Sequence, residues 1–177
     1  ELFVEDIELF LKKNRIDKVN IFGYSMGGYA AICYAQKYPE SVGKIMTLAT
    51  KFEWTPESSE KEAMMLDPEK IEMNFPQLVY ELKQRFYPED WKLALNKTAI
   101  MLKNLGTKPT LTDEIIKSIQ TDILVCVGSQ DNMVTIEESK KVAGLLENGS
   151  YQILDGWKHP FEKADKLKLS EIILNYF

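Results

Sequence analysis

The feature that most constrains this chain is an apolar stretch that runs into a glycine-rich turn and then into a helical pattern. Residues 19–22 form a short apolar run, which is typical of a buried strand. The sequence Gly-Tyr-Ser-Met-Gly-Gly follows at residues 23–28 and opens a segment of helical periodicity. A turn this tight holds its central residue, Ser25, in a strained backbone conformation. We therefore expect the Ser25 hydroxyl to stand clear of the backbone at the N-terminal end of a helix.

The glycines on either side of Ser25 are expected to be required by packing. A Cβ at Gly23 or Gly27 would collide with the neighbouring strand or helix. The free N–H groups and the dipole at the start of a helix favour developing negative charge beside the hydroxyl. A glycine-rich turn that merely contains serine would match the same short pattern. The strand before it and the helix after it are what favour a reactive serine.

Composition limits the classes of protein to which this chain can belong. Its 177 residues suffice for one domain with a hydrophobic core, and its net charge of −5 argues against nucleic acid or an anionic membrane as partner. No apolar run is long enough to span a bilayer and no signal peptide is visible, so we expect a cytoplasmic protein. Cys33 and Cys126 are predicted to be buried thiols in a reducing compartment. With His159 as the single histidine, we expect neither a metal site nor a cofactor.

Strand and helix patterns alternate along most of the chain. Strands are predicted at residues 19–22, 42–48, 123–128 and 151–154, and helices at residues 2–13, 29–38, 135–146 and from 161 or 164 to 177. The first helix is expected to present one apolar face made of Leu2, Phe3, Ile7, Phe10 and Leu11. This alternation predicts an α/β fold, a mostly parallel sheet flanked by helices.

The composition and the predicted secondary structure change in the middle of the chain, at residues 51–120. Strand signals vanish, charges rise, and prolines separate helical segments predicted at residues 63–66, 75–86 and 90–105. We interpret this region as a helical cap inserted into a core made of residues 1–50 and 121–177. Its many aromatic and methionine side chains suit an apolar acyl or alcohol pocket, although for any single residue packing among the helices of the region is the favoured explanation.

Two further polar residues follow predicted strands. Asp131 lies in the loop after residues 123–128, and His159 lies in the loop after residues 151–154. Parallel strands bring the loops at their carboxyl ends to one edge of the sheet, so Ser25, Asp131 and His159 should meet there. A histidine can take the serine proton and return it to a leaving group. An aspartate would fix the imidazole tautomer and stabilise the imidazolium.

Two other acidic residues compete with Asp131 for that role. Asp155 lies only four residues before His159, where a cap on the strand end is the simpler interpretation. Glu53 follows the second predicted strand, and some folds of this type carry the acid there.

The order Ser…Asp…His and three sequence blocks resemble the α/β-hydrolase superfamily, specifically its cap-bearing serine esterase and C–C hydrolase branch. The blocks are residues 23–31 with 38–42, residues 128–134 and residues 159–162. The resemblance implies a Ser25 nucleophile, an Asp131 acid, a His159 base and the Met26 backbone N–H as one oxyanion donor. It excludes members with an aspartate nucleophile, the epoxide hydrolases and haloalkane dehalogenases, because position 25 is serine.

The chain departs from the family pattern in two places. Thr135 stands where the family usually has proline. The family's first strands and the loop with the second oxyanion N–H should precede the turn by more residues than this chain has. We therefore expect that roughly 70–90 residues of the complete fold lie upstream of this sequence.

The resemblance implies a serine hydrolase that cleaves a carboxylic ester or related acyl compound through an acyl-enzyme. Two alternatives remain: a C–C bond hydrolase with the same three residues, or a hydrolase fold that binds a ligand without turnover. The expected partner is a small molecule with an apolar acyl or alcohol part, and the oligomeric state is left open. Residues predicted to line the substrate pocket are Tyr24, Met133 and Trp157, next to the predicted catalytic positions.

Overall fold

The computed structural model describes residues 2–177, which form two compact units. The first contains the chain up to Glu53 together with Leu111–Phe177, and we call it the sheet unit. The second is Trp54–Thr110, which we call the helical unit. The observed boundaries lie inside the predicted insertion of residues 51–120, and the interpretation of this region as a cap stays a prediction.

Four parallel strands form one sheet in the order β1-β2-β3-β4. The strands are β1 (Val19–Tyr24), β2 (Val42–Leu48), β3 (Asp122–Gly128) and β4 (Gly149–Leu154). All of them run in one direction, so their carboxyl ends lie at the same edge of the sheet. The structure confirms the α/β fold class predicted from the sequence, with a parallel sheet flanked by helices.

Nine helices lie within residues 2–177. Seven of them overlap a predicted helix, although one spans residues 56–64 where 63–66 had been predicted, and the helices at residues 68–74 and 113–117 were not predicted. In chain order the nine helices are α1 (Leu2–Asn14), α2 (Met26–Lys37), α3 (Pro56–Met64), α4 (Pro68–Asn74), α5 (Pro76–Phe86), α6 (Trp91–Thr107), α7 (Asp113–Lys117), α8 (Ile136–Leu145) and α9 (Lys166–Tyr176). Short 3₁₀ turns occupy Pro39–Ser41 and Phe161–Lys163. Helix α2 begins directly after Ser25, three residues earlier than predicted.

The apolar face predicted for α1 is only partly correct: of its five residues Leu11 is buried and Ile7 is half-buried. The structure buries Val4 and Leu11, which are two turns apart, and the Tyr34 hydroxyl of α2 donates a hydrogen bond of 2.7 Å to Glu8 Oε2 between them. The face that meets α2 is therefore the one carrying positions 4, 8 and 11. Three of the residues predicted to be buried are exposed: Leu2, Phe3 and Phe10.

The core of the sheet unit is built on the two central strands. Six of the seven residues of β3 are buried, which explains its continuous apolar run in the sequence. One core cluster contains Met46, Leu48, Ala49, Leu124, Cys126, Leu154, Trp157 and Leu169. Both cysteines are free, and burial raises the pKa of the Cys126 thiol to about 12 and that of Cys33 to about 11.

The helical unit has a small core of its own, made of Ile71, Val79, Leu82, Trp91 and Leu95. Prolines open α3, α4 and α5 at their first positions, where the missing N–H costs nothing. Three of the five prolines in this region, Pro56, Pro68 and Pro76, are therefore helix starts. Within residues 2–177, no helix combines the length and the apolar character needed to cross a bilayer.

Candidate active site

Ser25 occupies the sharp turn between β1 and α2, with a φ of 51° and a ψ of −120°. Positive φ is costly for a residue with a Cβ and persists only where the surroundings enforce it. Here the Ser25 N–H donates to the Leu48 carbonyl at 2.8 Å, and the Thr50 hydroxyl donates to the Ser25 carbonyl at 2.9 Å. The strained backbone expected at this position is present, and β2 with its exit loop holds it.

The packing role expected of the flanking glycines is correct for Gly23 and wrong for Gly27. A Cβ at Gly23 would lie 2.5 Å from the Gly28 Cα. A Cβ at Gly27 would meet nothing within 4 Å, because successive helix positions turn by about 100° and Gly27 faces away from the sheet. The close approach belongs to Gly28, whose Cβ would meet the Thr50 hydroxyl and, at 3.0 Å, the Thr47 Cβ.

The structure brings together the three side chains predicted to meet at the edge of the sheet. Ser25 Oγ lies 3.4 Å from His159 Nε2, and His159 Nδ1 lies 3.0 Å from Asp131 Oδ2. The Asp131 side chain is fully buried and that of His159 is 11% exposed. Ser25 follows β1, Asp131 follows β3 and His159 follows β4, so the parallel sheet is what makes them neighbours.

Asp131 is held as a carboxylate by its surroundings. Burial raises the pKa of this group, but hydrogen bonds from His159 and from the backbone N–H groups of Met133 and Val134 outweigh it and hold the pKa below its ordinary value. An ionised carboxylate only accepts hydrogen bonds, so His159 Nδ1 carries the hydrogen between them. Nε2 is then left to accept the proton of Ser25.

Neither competing acid contacts His159. The Asp155 carboxylate accepts a hydrogen bond of 3.1 Å from the Ser129 hydroxyl, which ties the exit of β4 to the exit of β3. The Glu53 carboxylate lies 3.3 Å from Lys141 Nζ. Their positions favour structural roles for both.

Several residues that shape the site were missed by sequence reasoning. Gly128 lets the Trp157 backbone approach β3, and the Gln130 N–H donates to the Trp157 carbonyl at 2.9 Å. Glu138, only 3% exposed, accepts from the Phe52 N–H at 2.8 Å. The position of Gly128 at the end of a predicted strand was the sequence signal that could have indicated the close approach of the Trp157 backbone. Nothing in the sequence indicates the contact between Glu138 and Phe52, which are 86 positions apart.

At position 135, where the family usually has proline, threonine makes hydrogen bonds that proline could not make. Its side chain accepts from the Glu138 N–H, and the Glu138 side chain accepts from the Thr135 N–H in return. This capping box starts α8 directly after the Asp131 loop.

The residues predicted to surround a substrate have different environments. Met26 is the first residue of α2, where the N–H has no acceptor inside the helix. The Tyr24 hydroxyl donates to the His159 carbonyl at 2.7 Å, and Met133 is half-buried. Trp157 is 8% exposed and packs in the core, which does not favour a contact with ligand. Their assignment to a pocket stays a prediction.

No group of three or more His, Cys, Asp or Glu side chains within residues 2–177 is arranged to hold a metal ion.

Comparison with known proteins gives a family match and many similar folds. The family model for the alpha/beta hydrolase fold matches residues 1–95. A 1-acylglycerol-3-phosphate O-acyltransferase of Saccharomyces cerevisiae is 43% identical over 47 residues, which are 27% of this chain and 12% of that protein. Among solved structures, an esterase of Thermogutta terrifontis has a TM-score of 0.72 at 18% identity and covers 98% of this chain. A meta-cleavage product hydrolase of Pseudomonas fluorescens has a TM-score of 0.71 at 16% identity, also over 98% of this chain.

The similarity extends over only part of these proteins. This chain spans 70% of the esterase and of the meta-cleavage product hydrolase, and 57% of a hydrolase from Thermoplasma acidophilum. At such low identities the solved structures show the fold, while the family match covers more than half of the chain. The sequence motif around Ser25, the parallel sheet and the family match therefore lead to one conclusion: this chain belongs to the alpha/beta hydrolase fold family.

Proposed function

We propose that the protein is a serine hydrolase that cleaves a carboxylic ester or related acyl compound, with Ser25 as nucleophile, His159 as base and Asp131 as acid. The observation that carries the proposal is the continuous line from Ser25 Oγ to His159 Nε2, at 3.4 Å, and from His159 Nδ1 to Asp131 Oδ2, at 3.0 Å. Family membership supports hydrolysis as the class of reaction.

The proposed reaction has two halves. In the first, His159 Nε2 takes the Ser25 proton while Oγ attacks the substrate carbonyl, and the protonated imidazole then gives that proton to the departing alcohol. In the second, His159 takes a proton from water as the water attacks the acyl-enzyme; the imidazolium then returns a proton to Ser25 Oγ as the C–Oγ bond breaks and the acid is released. The Met26 N–H at the start of α2 would stabilise the oxyanion in both halves.

Ser25 has the properties of an activated nucleophile. Its backbone strain is maintained by the hydrogen bond that its N–H donates to the Leu48 carbonyl and by the one that its carbonyl accepts from the Thr50 hydroxyl, so the Ser25 hydroxyl is positioned before substrate arrives. The lowered pKa of Asp131 keeps a negative charge beside the imidazole when it becomes protonated. This arrangement favours turnover over ligand binding without reaction.

We also propose that residues 51–120 act as a cap that shapes an apolar acyl or alcohol pocket. The support is the separate helical unit and its exposed apolar side chains, of which Met73 and Phe75 are 81% and 57% exposed. C–C bond hydrolysis uses the same three residues. The meta-cleavage product hydrolase among the similar structures is the observation that keeps it as an alternative.

The yeast relative favours a second candidate, acyl transfer to an alcohol. The acyl-enzyme would be the same, and an alcohol in place of water would take the acyl group from Ser25. The two candidates therefore differ only in the acceptor of the second half-reaction.

Labelling with a fluorophosphonate tests the nucleophile. We expect the full-length protein to be labelled at Ser25, and we expect Ser25→Ala to lose both labelling and turnover of p-nitrophenyl esters. Ser150→Ala, an exposed serine on β4, is the matched control and should react as the wild type does. Tight ligand binding by an unlabelled, folded wild type would instead support a binding protein.

Product analysis of the same reactions identifies the acceptor. A hydrolase releases free fatty acid at the rate at which p-nitrophenol appears, whether or not glycerol is present. A transferase would divert most of the acyl group to glycerol, and a panel of diketone substrates would detect C–C hydrolysis.

A further inference from the structure

Tyr24 is the last residue of β1, directly before Ser25, and its side chain reaches the loop that carries the base. Its hydroxyl donates a hydrogen bond of 2.7 Å to the backbone carbonyl of His159, a residue 135 positions away. Its ring centroid lies 5.7 Å from that of His159 and 5.1 Å from that of Phe161. One side chain therefore contacts the base through its main chain and its ring.

The backbone of the His159 loop has few other connections to the sheet. The last bond from a neighbouring element before His159 joins the Gln130 N–H to the Trp157 carbonyl, at 2.9 Å. Past His159, the backbone–backbone hydrogen bonds in the described chain stay within the loop until α9 begins: Lys163 N–H to the Pro160 carbonyl and Ala164 N–H to the Phe161 carbonyl. The Tyr24 hydroxyl is thus the contact from β1 that fixes the main chain at His159 itself.

The distance that this contact controls is a sensitive one. Ser25 Oγ and His159 Nε2 are 3.4 Å apart, near the outer limit of a hydrogen bond. A small outward shift of the His159 backbone would break it. Because Tyr24 and Ser25 are adjacent, the nucleophile and the anchor of the base are fixed to the same strand end, which is paired with β2 at Leu48.

We infer that Tyr24 is a positioning residue, whose hydroxyl holds the His159 main chain at the distance from Ser25 that proton transfer requires. The inference rests on the proposed function of Ser25 and His159. It replaces the interpretation of Tyr24 as a wall of the substrate pocket, since its hydroxyl is already engaged with the protein backbone. Burial raises the pKa of the Tyr24 hydroxyl, against a smaller opposing effect of the Phe161 backbone N–H, so the group keeps the proton that it donates.

The test is Tyr24→Phe in the full-length protein, which removes the hydroxyl and keeps the ring. We expect kcat for p-nitrophenyl acetate, divided by the number of active sites titrated with a fluorophosphonate, to fall by about five- to tenfold. KM should stay within about twofold, because the lost bond is not to substrate. A pocket role would raise KM and leave kcat unchanged, which would overturn the inference.

A matched control separates positioning from general loss of stability. Tyr34→Phe removes another tyrosine hydroxyl bond between two elements, also of 2.7 Å, from α2 to Glu8 on α1. We expect it to lower the melting temperature while kcat per titrated site stays at the wild-type value. Equal losses of kcat in both variants would show that the Tyr24 effect is not specific to the site.

Rescue gives a second, independent measurement. Incorporation of 4-aminophenylalanine at position 24 supplies an N–H donor in place of the hydroxyl and should restore most of kcat. If this variant folds but its kcat per titrated site is about five- to tenfold below that of the wild type, the hydrogen bond to His159 is not what sets kcat, and the inference is wrong. This comparison does not require Tyr24→Phe itself to fold. A wild type that reacts with neither fluorophosphonate nor ester refutes the proposed function and the role of Tyr24 together. A reactive wild type with an equally fast Tyr24→Phe refutes only the role of Tyr24.

Discussion

At the scale of single residues, two adjacent glycines after Ser25 have opposite environments. Gly27 belongs to the Gly-x-Ser-x-Gly pattern but has open space where a Cβ would stand, whereas Gly28 lies against Thr50 and Thr47. The expectation from the sequence was that both glycines flanking Ser25, Gly23 and Gly27, are packed, because a motif carries no information about which way each position faces. The helix α2 decides this by turning Gly28 toward the sheet.

Alanine substitutions should separate the two glycines. Gly27→Ala is expected to raise the free energy of unfolding by about 0.5–1 kcal/mol, because alanine is the better helix former and nothing opposes its Cβ. Gly28→Ala is expected to lower it by about 1–3 kcal/mol through overpacking against the Thr50 hydroxyl. Urea denaturation of both variants measures the difference. Equal destabilisation of the two variants would contradict the packing described for this turn.

At the scale of elements, the exit of β2 is the part that supports the turn at Ser25. Ala49 also has a positive φ, of 55°, and its N–H donates to the Cys126 carbonyl on β3. The hydroxyl of the next residue, Thr50, donates a hydrogen bond to the Ser25 carbonyl. A segment that looks like an ordinary strand end in the sequence is therefore the support of the nucleophile.

Two threonines on this element allow a matched comparison. Thr50→Val removes a buried hydroxyl that donates at 2.9 Å, so we expect the free energy of unfolding to fall by about 1 kcal/mol. Thr47 is also fully buried, but its hydroxyl has no hydrogen-bond partner among residues 2–177. Thr47→Val should therefore be neutral or stabilising. The denaturant midpoints of the two variants measure this difference. A Thr47→Val variant less stable than Thr50→Val would contradict the expectation.

At the scale of the whole molecule, the residues of the candidate site come from two segments of the chain, one before and one after the helical unit in the sequence. Ser25 comes from β1, before the insertion, and Asp131 and His159 come from the exits of β3 and β4, after it. The sheet unit must be complete for these side chains to meet. Site geometry and folding stability are thus coupled through the same buried carboxylate.

Acid should reveal that coupling. The pKa of Asp131 is lower in the folded chain than in the unfolded one, so its contribution to stability is fully present above about pH 4 and is lost as the pH falls through the folded pKa. We expect Asp131→Asn to lower the free energy of unfolding by about 1–3 kcal/mol at pH 7. The difference from wild type should shrink toward zero at about pH 3 and below.

Asp17→Asn is the control for this comparison, because Asp17 is exposed in the loop before β1. It should change stability little at any pH. A difference between wild type and Asp131→Asn that persists undiminished into strong acid would show that the carboxylate charge is not what stabilises the fold.

Much of this protein is determined by its sequence alone, because those features depend on local order. The strand at residues 42–48, the apolar run of β3 and the turn at Ser25 follow from periodicity and glycine placement. The meeting of Ser25, Asp131 and His159 also follows, since parallel strands must deliver their exits to one edge.

Only the tertiary structure decided which face of each element is buried and which polar groups hold the site in place. The buried face of α1 is set by Tyr34 and Glu8, and the packed glycine is Gly28 because the sheet lies on that side of α2. The contact of Tyr24 with the His159 backbone joins residues 135 positions apart. Such contacts depend on distances between residues that are far apart in the sequence. Neither periodicity nor motif spacing carries information about those distances.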